Sequence, residues 1–430
     1  MRRAIRPVTP FRFVHCADLH IDTPFAGLQT ADAFVADALR RASSEAVNVV
    51  VDLCISEHAD FLLIAGDVFD SANRSLRAQF HFRDQLARLA AEEIPSFVVH
   101  GNHDPLDGWI ADLRWPDAVT IFASEPVQSI PVKRNGEILA VVHGVSYATR
   151  KDDHNLTPLF HPNPHAPFNI GLLHCNVGSN TGHEDYAPCS IDDLTASGMD
   201  YWALGHVHRG RVLRQQGPTI IYPGASQGRS PVESGEHGCF VVDVSGARQV
   251  TPRFVATDSV RWALIDVPVA EEAALDDVHD AVIAHCEAAS AEAGGRDIVA
   301  RLTLTGRGRL NAELHRAGSV TDILDRSREM LSQRRPFVWI DRLTVRTHGL
   351  FDRAARSQES DFIGELIRQV DTLTNDHAAL AHLRSLLSPV FEHSQAPVEL
   401  SRLPEDCLQR WLDEAETRCI DMLLAEEGSE

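Results

Sequence analysis

Residues 61–70 read FLLIAGDVFD: five apolar residues that stop at Gly66-Asp67 and are followed by a second carboxylate, Asp70. A short unbroken apolar run bounded by a turn signal predicts a strand buried on both faces, with a charged tip at its end. The same form recurs through the first half of the chain. FRFVHC leads to Asp18 and His20, FVV to Gly101-Asn102-His103-Asp104, NIGLL to His174, and YWAL to Gly205-His206-Val207-His208. Gly-Asp or Gly-Asn after a strand is by itself an ordinary turn, and one histidine beside an apolar run is ordinarily a core residue. Five such tips together bring Asp, His and Asn side chains to strand ends, where open α/β folds hold their sites on a rigid edge.

Helical spacing of apolar residues over 31–58 and 75–93 fills the gaps between these strands. With the strand-rich stretch 201–244, the alternation predicts an α/β fold, a two-sheet α/β sandwich with helices outside. GCFVVDVS closes this unit at Ser245-Gly246, giving a first domain over 1–250. Beyond it, RWALIDVPV, DIVARLTLTG and FVWIDRLTVRT read as strands, with helices over 275–293 and 320–331, so 251–350 is expected to be a small α/β cap domain. Over 351–430 the apolar residues Phe362, Ile363, Leu366, Ile367 and Val370, then Leu380, Leu383, Leu386 and Leu387, then Leu408, Trp411, Leu412, Ile420 and Leu423 form helical stripes. Pro389, Pro397 and Pro404 are expected to separate them. Such stripes need cover, supplied by mutual packing or by a partner.

The order D-x-H, GDxxD, GNHD, H, GHxH resembles that of the calcineurin-like metallophosphoesterases, over residues 11 to about 246. FVHCADLHID, HEDYAPCS, MDYWALGHVH and YPGASQGR are similar to its DNA repair exonuclease branch, of the SbcD and YhaO type. The resemblance implies a metallophosphoesterase core and two divalent ions, with Asp67 between them. It places Asp18, His20 and His208 on one ion and Asn102, His174 and His206 on the other. Two cations about 3.5–4 Å apart need an anionic bridge to offset their repulsion, and they would make hydroxide available near neutral pH. Oxygen and imidazole donors without thiolate suit Mn²⁺, Fe²⁺ or Zn²⁺, and the branch implies Mn²⁺ first. His103 adjoins Asn102 without being needed as a ligand, so it is expected to face the phosphate as a catalytic group. Asp104 is expected to orient its ring, a role that Asp70 could share.

Around this set, Arg209, Arg211 and Arg229 are candidates for clamping phosphates, though loop arginines are commonly uncommitted. His183 and Tyr186 belong to a loop that is either nucleic-acid-contacting or plain surface before a helix start at Ser190. His15 and His143 read as strand residues, and His154, His161 and His165 fall in an irregular Pro-containing loop. Cys16 and Cys175 adjoin the motifs and are expected to be packing residues.

The chain has 430 residues, 44% of them hydrophobic, with room for a large core and further domains. No run is long enough to cross a bilayer and MRRAIRPVTP lacks an apolar leader core, so a soluble, cytoplasmic protein is expected. Eight cysteines without a CxxC pair fit a reducing compartment. The net charge of −21 sits awkwardly with DNA binding, which draws on basic surfaces; about half of it lies after residue 350. No GxxxxGK[ST] loop is present, so an ATP-driven step would need another subunit.

We expect a metal-dependent DNA exonuclease of repair acting on DNA; the resemblance further implies an SMC-like coiled-coil ATPase as partner and homodimerisation through helices of the first domain, for which the sequence fixes no interface. The alternatives are a small-molecule phosphodiesterase or phosphatase of the same superfamily, and a non-catalytic scaffold, which the intact motifs disfavour.

Overall fold

The computed structural model describes residues 8–23, 33–70, 75–109, 111–151, 153–178, 187–391 and 405–427. The motif-bearing part runs β1 (Phe11–Cys16), α1 (Ala33–Ser56), β2 (Phe61–Ala65), α2 (Leu76–Ala91), β3 (Ser96–Val99), β4 (Val119–Ile121), β5 (Gln128–Arg134), β6 (Glu137–Gly144), β7 (Asn169–His174), α3 (Ile191–Ala196), β8 (Tyr201–Gly205), β9 (Arg211–Arg214), β10 (Thr219–Tyr222), β11 (Gly238–Val244) and β12 (Val250–Ala256). These strands form two sheets, ordered β12-β11-β1-β2-β3-β4 and β5-β6-β7-β8-β10-β9. β1 to β4 are parallel in one sheet, and β6, β7 and β8 in the other.

Strand periodicity of two explains the layering. In β1, Phe11 and Phe13 face the space between the sheets, while Val14 and Cys16 belong to the cluster that includes Val47, Val51, Phe82 and Leu86 of α1 and α2. In β8, Tyr201 and Ala203 enter the central core, while Trp202 and Leu204 pack on the far face with Leu194 of α3. The central core is aromatic: Phe13 and Phe61 stack at 5.0 Å, and Tyr201 meets Phe13 edge-on at 5.1 Å. Pro131 falls on β5, an edge strand, where a missing N–H costs little. Ser75 caps α2, its hydroxyl accepting the Ala78 N–H.

The expected first-domain boundary at 250 does not mark the end of the sheet. β12 pairs antiparallel with β11 from Val244↔Val250 to Gly238↔Ala256, covering an edge that would otherwise stay open. The rest comprises β13 (Val260–Pro268), α4 (Leu275–Glu292), β14 (Asp297–Arg307), α5 (Asn311–Leu314), α6 (Ser319–Leu331), β15 (Val338–His348), α7 (Arg353–Arg356), α8 (Phe362–Asn375), α9 (His377–Phe391) and α10 (Glu405–Glu427), with a third sheet ordered β13-β14-β15. By contacts the chain divides into two compact units: one extends to residue 264 and includes 286–301 and 328–341, the other holds 265–285, 302–327 and 342 onward. In the first, Val260, Trp262, Val299, Phe337 and Trp339 pack with Val35 and Leu39 of α1. In the second, Ile363 and Ile367 of α8 pack with Ile420 of α10, and Arg353 joins Glu416 at 2.6 Å. Pro389 lies inside α9 instead of bounding it, near the end where losing one helical hydrogen bond is tolerable; Pro397 and Pro404 lie outside the described residues. Among the described residues, no helix is long and apolar enough to cross a membrane.

Candidate metal centre

Parallel pairing brings the carboxyl ends of β1, β2 and β3 to one edge of the first sheet, and those of β7 and β8 to the facing edge of the second. Asp67, just past β2, is 1% exposed, with Oδ2 3.4 Å from His174 Nε2 and 3.9 Å from His20 Nε2. Asn102 Oδ1 lies 2.9 Å from the same His174 nitrogen. His20 Nε2 and His208 Nε2 stand 3.3 Å apart, and ligand atoms of Asp18, His20 and His208 cluster within 4.8 Å, as do those of Asp18, Asp67 and His174. The His206 ring lies 5.2 Å from that of His174. All the side chains named as metal ligands from the sequence are thus gathered around Asp67.

Convergence strains the backbone. Asp18, His20, Asp67 and His206 have φ of 52°, 43°, 51° and 107°, in the left-handed region that side chains avoid. Backbone hydrogen bonds hold them there: Asp18 N–H donates to Gly66 O and His20 N–H to Asp67 O. The glycines before the ligands answer to close approach. A Cβ on Gly205 would sit 1.8 Å from Ala65 O, and one on Gly101 2.3 Å from Asp67 Oδ1.

The electrostatics call for a cation. His174 Nδ1 donates to Ala65 O at 2.9 Å, leaving Nε2 toward Asn102 Oδ1 and the Asp67 carboxylate, all acceptors. Only a second proton or a metal ion satisfies that arrangement. Burial opposes charge on His174, yet Asp67 and Asp18 raise its pKa to about 9. Burial likewise pushes the Asp67 carboxyl up, and His174, His20 and His103 outweigh it and hold the group well below the usual range. At Asp18 burial prevails and the pKa rises. His20 is driven well below its ordinary value by burial, and its Nδ1 has no hydrogen-bond partner among the described residues. On the other side, His208 Nδ1 meets Glu233 Oε1 at 2.6 Å, so its Nε2 lone pair faces His20. Two buried carboxylates, an amide oxygen and imidazoles, with Cys16 and Cys175 outside the clusters, fit hard-to-borderline divalent ions.

The acid–base expectations divide. His103 is partly exposed beside the cluster, its backbone N–H donating to Asp67 Oδ1, and Asp70 Oδ1 lies 3.6 Å from its Nδ1. Asp70 is the main cause of the raised His103 pKa. Asp104 does not orient His103, as expected from adjacency. It is fully buried and turns the other way, to His100 Nδ1 at 2.9 Å and the N–H groups of Gly101 and Val68 at 2.8 and 2.9 Å. Successive side chains in a tight loop point apart, so Asp104 ties the GNHD loop to the GDVFD loop. Of the arginines, Arg209 and Arg211 are exposed, while Arg229 lies near enough to lower the His20 pKa and has a buried Nε without a hydrogen-bond partner among the described residues.

Glu233 escaped the sequence reading. It sits in the short Pro231–Glu233 turn, and a carboxylate 25 residues from His208 carries no motif signal. His15 and His143 are core histidines, bonded to Tyr201 Oη and Leu204 O, and to Ser129 and Asn169. His154, His161 and His165 are exposed. His183 and Tyr186 lie outside the described residues.

The calcineurin-like phosphoesterase family matches residues 11–210, and the middle domain of metallophosphoesterase YhaO matches residues 262–348. An uncharacterized metallophosphoesterase YhaO of Bacillus subtilis is 33% identical over 378 residues, 84% of this chain and 91% of that protein. The DNA double-strand break repair protein Mre11 of Sulfurisphaera tokodaii is 28% identical over 217 residues, 49% of this chain and 52% of its own. That of Archaeoglobus fulgidus is 25% identical over 236 residues, 50% of this chain and 49% of its own. The match thus spans about half of each of these two archaeal proteins.

Proposed function

Because this chain belongs to the calcineurin-like phosphoesterase family, we propose that it is a two-metal phosphodiesterase acting on DNA, an exonuclease of repair that uses Mn²⁺. The observation that carries this reading is the buried Asp67 carboxylate set between His174 and His20, with Asn102 on one flank and Asp18 and His208 on the other. Asp67 would bridge the ions, Asp18, His20 and His208 would hold one, and Asn102, His174 and His206 the other. When bound, the ions supply the charge that makes water nucleophilic near neutral pH and offsets charge on the phosphoryl oxygens.

The protein's own groups do the rest. His103, partly open to solvent, meets the substrate phosphate and gives a proton to the leaving 3′ oxygen. Asp70 keeps its ring turned to the site. Arg229 offers a guanidinium for a non-bridging oxygen. Arg209 and Arg211, exposed just beyond the histidine pair, can follow the DNA backbone. DNA as substrate is favoured by similarity to proteins named for double-strand break repair. An SMC-like coiled-coil ATPase would cover the C-terminal helices, where Phe362 and Leu386 are 71% and 63% exposed, and would add basic surface. Homodimerisation and a cytoplasmic location belong to the same proposal.

The net charge of −21 favours a second reading, a small phosphodiester or phosphomonoester as substrate. Purified protein with Mn²⁺ on end-labelled DNA, beside cyclic nucleotides and bis(p-nitrophenyl) phosphate, separates the two. Release of nucleotides from DNA ends supports the first; turnover of the small esters with intact DNA transfers the function to the second.

A further inference from the structure

We propose that Glu233 is a positioning residue that sets His208 and Arg229 together, so that one carboxylate aligns a cation-binding imidazole and a phosphate-binding guanidinium. The inference rests on the two-ion reading above and extends it to a turn that lies between β10 and β11, outside the motifs.

Both oxygens of Glu233 are committed. Oε1 accepts from His208 Nδ1 at 2.6 Å, and Oε2 accepts the backbone N–H of Arg229 at 2.7 Å. A proton fixed on Nδ1 leaves His208 Nε2 as a lone pair, and this nitrogen points at the cluster, 3.3 Å from His20 Nε2. A carboxylate behind a metal-binding imidazole fixes the tautomer and ring angle and raises its basicity; losing such a partner typically weakens binding about 10–100-fold. The second bond holds the residue whose guanidinium Nε is buried without a hydrogen-bond partner among the described residues.

The turn itself is tightly placed. His237 Nε2 lies 3.0 Å from the Glu233 carbonyl oxygen, and a Cβ on Gly228 would come within 2.5 Å of that oxygen. Side-chain exposures of 17% for His208 and 15% for Glu233 set the pair apart from surface ion pairs, which solvent screens to little effect. Glutamine at 233 keeps the shape but has one acceptor oxygen in place of two, so it cannot serve both partners.

Calorimetric titration of Mn²⁺ into wild type, Glu233→Gln and Arg229→Ala, with the melting temperature of each metal-free protein, tests this. We expect two ions in wild type. In Glu233→Gln one of them should bind at least about 10-fold more weakly, with the metal-free melting temperature within a degree or two of wild type. Arg229→Ala should keep wild-type Mn²⁺ affinity and raise KM for the phosphodiester substrate. Two ions in wild type and unchanged affinities in Glu233→Gln overturn the role of Glu233 alone. Fewer than two ions in wild type overturn the two-ion reading and this inference with it. A metal-free Glu233→Gln protein that melts far below wild type assigns the residue to folding and overturns the inference as well.

Discussion

The two ends of β1 both gather charged side chains and do different things with them. At its amino end, a cavity of about 460 Å³ is lined by Arg12, Glu57, Asp60, Arg134 and Asp243. There Arg12 pairs with Asp243 and Glu57 at 2.7 and 2.8 Å, and Arg134 pairs with Asp60 at 2.9 Å. At its carboxyl end, His174 Nε2 faces only acceptors, two imidazole nitrogens confront each other, and four residues hold strained φ values. At the amino end each arginine is matched to a carboxylate, whereas at the carboxyl end carboxylate, amide and imidazole donor atoms converge on one another, which is the arrangement that marks a site.

Asp67→Asn is expected to break the comparison most severely. Losing the anionic bridge should cost several kcal/mol of transition-state stabilisation, on the order of 10³-fold or more in Mn²⁺-dependent turnover, measured as kcat/KM on the best substrate. His103→Ala should bind metal normally yet lose about 10²–10⁴-fold in kcat; wild-type turnover would remove His103 from the chemistry. Asp104→Asn sharpens the contrast between neighbours. Its carboxylate serves His100 and backbone amides, so unfolding free energy should fall by about 1–3 kcal/mol while Mn²⁺ stoichiometry is kept, read by urea denaturation and titration.

His15 tests the core behind the site. Burial lowers its pKa to about 3, so the folded protein holds a neutral ring. Its contribution is complete above the unfolded value near 6.5 and is lost as pH falls from there toward 3, with a slope of up to about 1.4 kcal/mol per pH unit. His15→Phe should be less stable at pH 7, for want of the Tyr201 and Leu204 contacts, and should lose less on acidification. Equal slopes in the two proteins would show that His15 does not titrate with unfolding. The smallest effect belongs to the amino end: Arg134→Ala, whose side chain is 43% exposed, should change stability by no more than about 1 kcal/mol and leave turnover unchanged.

The sandwich strands with their polar tips were legible because they rest on local pattern, and the order of those tips carried the resemblance that implied the ligand set around Asp67. Apolar runs mark buried parallel strands, and the glycines at 66, 101 and 205 stand where the strand ends crowd one another. What was not legible depends on distance in the chain. Asp104 adjoins His103 in sequence yet faces His100, while Asp70 reaches the ring from the loop after β2. Glu233 meets His208 across a turn with no motif, and β12 joins the first sheet by covering β11, which no periodicity announces. The grouping of 286–301 and 328–341 with the first 264 residues is also invisible in the sequence, because compactness draws on contacts between separated segments.

Anomalous diffraction from crystals grown with Mn²⁺ should show two manganese peaks flanking the Asp67 carboxylate, one beside Asp18, His20 and His208 and the other beside Asn102, His174 and His206. Peaks elsewhere, or a map with no manganese at Asp67, would contradict the two-ion site.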